Sequence, residues 1–289
     1  MTDRDGSTAR SLKSAIGATG KYAFLTLYAA FVLLPLLFAL LSSIRPSREI
    51  FQYVSPFQLR SFVPTRIDLG SYVRLFGKHR FATPIVNTAV VGILTVALGV
   101  FVNSLAGFVF AKFNFRTKQL WFAIVLVTMM IPYEAIAIPL YALIYNIKWI
   151  NTMQALVVPA IANGLYIFLF KQFFEEIPAS LSESARIDGA AWLRIYFQIF
   201  VPLTKSVVLS ASLLIFFFQW HAFVWPLLAA NTPRLMVIQV ALSVFKQEYE
   251  TLWGELFAAS VVATLLPLLF FFPLQKYYQL GVSSTGIKE

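Results

Sequence analysis

Six stretches of this chain are long, apolar and nearly free of charge, and that limits what it can fold into. They span about residues 22–44, 84–111, 120–145, 153–174, 203–228 and 256–277, and none holds more than one Asp, Glu, Lys or Arg. An apolar run of about 20 residues matches the hydrocarbon thickness of a bilayer as a helix. Lipid offers the backbone no hydrogen-bond partners, so each run must satisfy its own N–H and C=O groups. The expected fold is all-α: a polytopic membrane helical bundle of six transmembrane helices.

Composition removes several functions. Of 289 residues, 59% are hydrophobic and 12% charged, too little polar surface for a soluble domain of this size. There is no cysteine, which excludes a disulfide, thiol catalysis or a thiolate metal site. The two histidines, His79 and His221, lie far apart in sequence, so no histidine-rich metal site is expected. The net charge of +10 comes without a basic-aromatic stripe on a soluble module, which argues against nucleic acid and for membrane orientation.

Residues 1–20 read as a polar cytoplasmic tail ending in Gly17 and Gly20. Arg4, Arg10, Lys13 and Lys21 precede the first run, as in a signal peptide, but its length and the lack of a small-residue cleavage site predict a retained span. Those cations, with Lys112, Arg116 and Lys118, predict a multi-pass membrane protein with both termini in the cytoplasm. The loop 45–83 opposes this rule, carrying Arg45, Arg48, Arg60, Arg66, Arg74, Lys78 and Arg80 against Glu49 and Asp68 on the expected outside. In the second span Gly92, Gly99, Asn103 and Gly107 recur at helical spacing, a face for close helix packing, with Asn103 read as packing glue.

Between the fourth and fifth runs lies SLSESARIDGAAWLRIYFQIFVPL, residues 180–203. Ser180 and Glu183 have the spacing of a capping box, predicting a helix over 181–188. Gly189 would stop it through a positive φ, Asp188 would cap a second helix over 190–200, and Pro202 would mark entry into the fifth span. An amphipathic loop lying in the headgroups is the other reading of the same residues.

Here the residues carry a resemblance. The permeases of bacterial ABC importers share the pattern EAA-x3-G-x9-I-x-L-P, and this chain has Glu183-Ser184-Ala185, Gly189, Ile199 and Pro202 at that spacing. Ser184 replaces the first alanine and Val201 the leucine. Leu69-Gly70-Ser71-Tyr72, Trp253-Gly254 and Ala258-Ala259-Ser260 also resemble the family, and the tail from Gly281 is similar to that of maltose-type sugar permeases, the shorter six-span subunit in particular.

The resemblance implies a permease domain over 21–280, with the loop 178–202 docked as a coupling helix on a separate ATPase through Ser180, Glu183, Ser184, Ala185, Asp188, Gly189, Ala190, Ile199 and Pro202. It implies that the tail 281–289, with Gly281, Gly286 and Lys288, reaches the same partner. It also implies a homologous second permease, two ATP-binding subunits, an extracytoplasmic solute-binding protein and a sugar or oligosaccharide substrate moved by alternating access. The chain lacks G-x4-G-K-[ST], so ATP and magnesium are expected on the partner, with no cofactor, metal or catalytic residue here.

Tyr133, Glu134, Gln219, Trp220, His221 and Trp225 are the candidate substrate path, because polar and aromatic groups inside spans are costly and suit sugar rings and hydroxyls. An aromatic belt with interhelical hydrogen bonds is the alternative use of them. Asn231, Thr232, Arg234 and Gln239 are candidates for docking the binding protein. The cationic first loop admits an anionic, alginate-like sugar, or an acidic face on the binding protein. The rival from another class is an ion-coupled secondary transporter of a small polar solute, which would require intramembrane carboxylate relays; only Glu134 lies firmly within a run.

Overall fold

The computed structural model describes residues 5–54, 56, 58–246 and 251–283, with the side chains of 5–18, 59, 270, 274 and 276–283 outside that description. In chain order the α-helices are α1 (Asp5–Ser43), α2 (Gly70–Gly77), α3 (Ala82–Lys112), α4 (Lys118–Thr128), α5 (Tyr133–Asn146), α6 (Met153–Val157), α7 (Gly164–Glu176), α8 (Ala179–Ile187), α9 (Trp192–Ile195), α10 (Val201–Leu203), α11 (Lys205–Trp220), α12 (Val224–Ala229), α13 (Ile238–Val244) and α14 (Trp253–Ser283). A π-helix, Tyr196–Phe200, joins α9 to α10. Among the described residues the one β contact is an isolated bridge, Lys246 with Thr251.

Among the described residues three helices are long and apolar enough to cross a membrane: Thr19–Ser43, Ala82–Lys112 and Trp253–Pro273. Three helix pairs qualify only together, bent by 100° between α4 and α5, by 44° between Met153–Ala160 and α7, and by 83° between Trp192–Leu203 and α11. The prolines of the sequence mark two of these breaks. Pro132 precedes α5, and Pro202 lies two residues before the third bend.

Some expectations are corrected. The helix runs from Asp5, so residues 5–20, read from the sequence as a tail, are helical: Ala, Leu, Lys and Arg favour the helix, and the three glycines cost only about 1 kcal/mol each. The loop 45–83 is partly helical, through α2, and so is the segment 229–254 before the last apolar run, through α13.

The chain divides into two compact units, and each has its own fastening. The first comprises residues up to His79 with Phe245–Val261. Here Arg74 Nε donates to the buried carboxylate of Glu255, and Tyr72 donates to Ser43 Oγ at 2.9 Å. Gly254 sits where a Cβ would collide with the hydroxyls of Ser47 and Ser71, which explains a glycine in the first turn of α14. Of the seven cations expected to face outward, Arg45 is buried and Arg74 is spent on Glu255. Arg48, Arg60, Arg66, Lys78 and Arg80 stay exposed.

The second unit comprises Arg80–Val244 and the chain from Val262. Its spine is α3, whose small residues let neighbours approach as the spacing predicts. A Cβ on Gly107 would fall 2.7 Å from Phe170 Cβ, and one on Gly99 3.3 Å from the Ile161 carbonyl. Asn103 is fully buried and ties α3 to the break before α7. Its amide donates to Gly99 O at 2.6 Å and to Ile161 O at 2.7 Å, and its oxygen accepts from Asn163 N at 2.9 Å. One side chain thus satisfies two backbone groups freed where the helix is interrupted.

Asn103→Leu would orphan the Ile161 carbonyl and the Asn163 N–H, at about 1–3 kcal/mol for each buried group. The detergent-solubilised variant should melt several degrees below the parent in a light-scattering melt; an unchanged midpoint would show that water replaces the amide.

Candidate coupling loop and substrate path

The loop after α7 begins with α8, whose N-terminus is set by Pro178 at φ −54°, ψ 135°, with no side-chain cap. The expected capping box does not form, because the helix starts at Ala179 and draws Ser180 inside it. The Ser180 carbonyl instead accepts from Ser184 Oγ at 2.8 Å. Nor does Asp188 cap the next helix, for α9 starts at Trp192 behind Ala191.

The end of α8 explains the spacing of the motif. Gly189 has φ +79°. Its N–H donates to Arg186 O at 3.0 Å, and Ala190 N–H donates to Ala185 O at 2.9 Å. Those two bonds make a Schellman turn, which needs a left-handed residue at the glycine position. Ala185 supplies the carbonyl and Gly189 the turn, so their separation by four is a requirement of the backbone.

The inner face of the loop is core. Ile195, Tyr196 and Phe200 pack with Phe108, Phe170, Phe174 and Ile177, with Ala185, Ala190, Trp192 and Ile199 against that cluster. Two polar contacts hold it to α3. Tyr196 OH and Ser104 Oγ lie 2.6 Å apart and buried, and Lys112 Nζ donates to Ile177 O at 2.7 Å while standing 5.3 Å from the Phe200 ring centre. The outer face is free. Ser180, Glu183 and Ile187 are exposed and share one side of α8 at helical spacing, with Ile187 at 86% exposure. Ile187 was not singled out from the sequence, although an isoleucine one turn after Glu183 is the signal that would have found it.

Beyond the loop the chain bends. Pro202 has no N–H, and its ring crowds the carbonyl four residues back, within the π-helix. Thr204 Oγ1 donates to Phe200 O at 2.8 Å at the junction with α11.

The candidate path residues divide. Gln219, Trp220 and Trp225 are buried and spend their polar groups inside the second unit. Gln219 Nε2 donates to Thr95 Oγ1 at 3.4 Å, Trp220 Nε1 to Ala263 O at 2.9 Å, and Trp225 Nε1 to Ala155 O at 2.7 Å. His221, Tyr133 and Glu134 are exposed, the last two in the first turn of α5 at the 100° break.

Among the docking candidates Asn231 and Arg234 are exposed. Asn151 Oδ1 accepts from Thr232 N at 3.2 Å, and Asn87 Nδ2 donates to Arg234 O at 2.9 Å, so the loop is held in a fixed shape. Gln239 differs: it donates to Trp220 O at 3.3 Å from α13. In the tail Gly281 falls in α14, while Gly286 and Lys288 lie outside the described residues.

Broken apolar helices carrying a turned, half-exposed loop define a helical membrane permease. Residues 103–283 match the family described as binding-protein-dependent transport system inner membrane component, and the chain belongs to that family. It is 28% identical to the arabinooligosaccharides transport system permease protein AraQ of Halalkalibacterium halodurans, over 92% of this chain and 94% of that one. It is 31% identical to a probable ABC transporter permease protein of Pyrococcus horikoshii, over 89% and 93% of the two chains. The fold is shared with a chain from the crystal structure of a bacterial ABC transporter involved in the import of the acidic polysaccharide alginate, with TM-score 0.80 and 20% identity over 92% of this chain and 97% of that one.

Gly189→Val places a β-branched residue at φ +79°, a strain of order 1–3 kcal/mol. Tryptic cleavage at Arg186 and Arg194 should become several-fold faster; equal rates would mean that the turn survives without glycine.

Proposed function

We propose that this chain is one of two homologous permease subunits of an ATP-driven importer for a sugar or oligosaccharide. It would cross the inner membrane six times with both termini in the cytoplasm, the three bent pairs each counting as one span. The observation that carries the coupling role is the free face of α8, where Glu183 and Ile187 stand exposed beyond a glycine-locked turn whose other side is core. An exposed carboxylate beside an exposed isoleucine suits a cleft with an apolar floor and a basic rim.

Two ATPase subunits bind ATP and magnesium, and this chain binds neither. Their closure moves α8, and the Tyr196–Ser104 and Lys112–Ile177 contacts carry that displacement into α3 and α7. The inner side of the bundle closes and an outward cavity opens, a two-state change biased by nucleotide. The tail from Gly281 adds a second contact to the ATPase.

A solute-binding protein docks outside on the fixed loop that bears Asn231, Thr232 and Arg234. The exposed cations of the first loop suit an acidic face on that protein. Sugar as the substrate is supported by relatives whose names give arabinooligosaccharides and, for a permease of Rhizobium radiobacter, lactose. Membership of the family disfavours the ion-coupled alternative.

Glu183→Lys should abolish co-purification of the ATPase with the tagged permease pair while leaving the pair intact. Retention of the ATPase at parental yield would remove Glu183 from the contact.

A further inference from the structure

The break between α4 and α5 falls midway along residues 118–146 and bends the pair by 100°. Whether this pair crosses the bilayer or re-enters it, the break is the point furthest from both ends. One side of it is filled. A Cβ on Gly164 would lie 2.6 Å from Val125 O, 2.8 Å from Thr128 Oγ1 and 2.9 Å from Met129 Cγ, so the start of α7 presses against the end of α4.

The other side is open. Met130 is 80% exposed, and Ile131, Pro132, Tyr133 and Glu134 are exposed beside it. Among the described residues no Lys, Arg or His lies within ion-pair distance of Glu134. Lipid is a poor neighbour for this surface. The end of α4 and the start of α5 depart from the regular ladder: Met129 N and Met130 N turn back to Leu126 O and Val127 O at 3.1 and 3.0 Å, Ala135 N donates to Pro132 O at 3.1 Å, and the Glu134 side chain stands beside this irregular backbone. Irregular backbone at membrane depth persists where it lines water or is covered by protein. An ionisable side chain there marks a solute path.

We infer that Glu134 lines the water-filled solute path at the α4–α5 break and sets its charge preference, admitting neutral polyhydroxylated solutes and disfavouring polyanions. The inference rests on the permease reading above and deepens it by naming the substrate class. A carboxylate accepts hydrogen bonds from two neighbouring hydroxyls of a sugar ring at once, and Tyr133 offers an aromatic face beside it. A uronic-acid sugar brings a like charge to the same point and loses that pairing. The loop cations do not reverse this, since they lie in the polar segment before α3 and act on encounter.

The chain has no cysteine, so a single introduced thiol reports on one position. Met130→Cys in the assembled complex should react with a water-soluble, membrane-impermeant maleimide, and reaction should slow when a neutral trisaccharide is added. A thiol that reacts only with a lipid-soluble maleimide overturns the inference.

The second measurement is affinity by calorimetry. It uses the permease pair in detergent without binding protein, a neutral arabinose trisaccharide, and a trisaccharide of uronic acids. The parent should prefer the neutral sugar, and Glu134→Gln should shift the ratio toward the acidic one by about tenfold, which corresponds to roughly 1.4 kcal/mol. Glu134→Asp, which keeps the charge, should retain the parental ratio. An unchanged ratio in Glu134→Gln, or a parental preference for the acidic sugar, overturns the charge role. Failure of the parent chain to recruit an ATPase would overturn the permease reading instead, and is read in a separate assay.

Discussion

A helix interrupted inside a membrane must find partners for the backbone groups it releases, and most of the second unit is organised by that demand. The Asn103 amide takes up Ile161 O and Asn163 N, Asn163 caps α7 through its own side chain, and Gly164 lets α4 lie directly on the break. Three segments meet there without a side chain to spare. The small residues of α3 permit the approach, and the polar contacts fix its register.

The end of the unit that carries α8 and α9 is built on the opposite plan, by aromatic packing with few polar ties. Phe108 stands at the centre, with Phe174 at 6.1 Å, Phe200 at 4.9 Å and Tyr196 at 5.4 Å between ring centres. A cluster of large rings resists small shear, so it holds α8 and α9 in one block with the ends of α3 and α7. The π-helix and the bend after Pro202 lie at the border of this block, where the ladder of backbone bonds is already irregular.

Much of this was legible in the sequence, for reasons that differ by element. The apolar runs announced the helices because lipid leaves the backbone no other choice. Gly189 announced its turn because an L side chain is strained at that φ, and Asn103 announced a polar tie because an amide in a span must be satisfied. The capping box misled, since Ser180 and Glu183 have the spacing of a cap but Pro178 starts the helix two residues sooner. The tryptophans were open to two readings: an indole suits a sugar face and a backbone carbonyl equally well, and the fold turns the Trp220 and Trp225 N–H groups to carbonyls. The angles of the three breaks were not readable, because proline marks an interruption without saying which way the chain leaves it.

The three hydrogen bonds of Asn103 have a consequence for how such a molecule can move. A side chain holding both ends of an interruption allows α3 and the start of α7 neither to slide nor to rotate past one another without leaving two polar groups stranded in a dry interior. Whatever rearrangement accompanies a transport cycle must therefore carry these two segments together, like a hub and its spoke, and place its slippage at joints where no amide spans the gap.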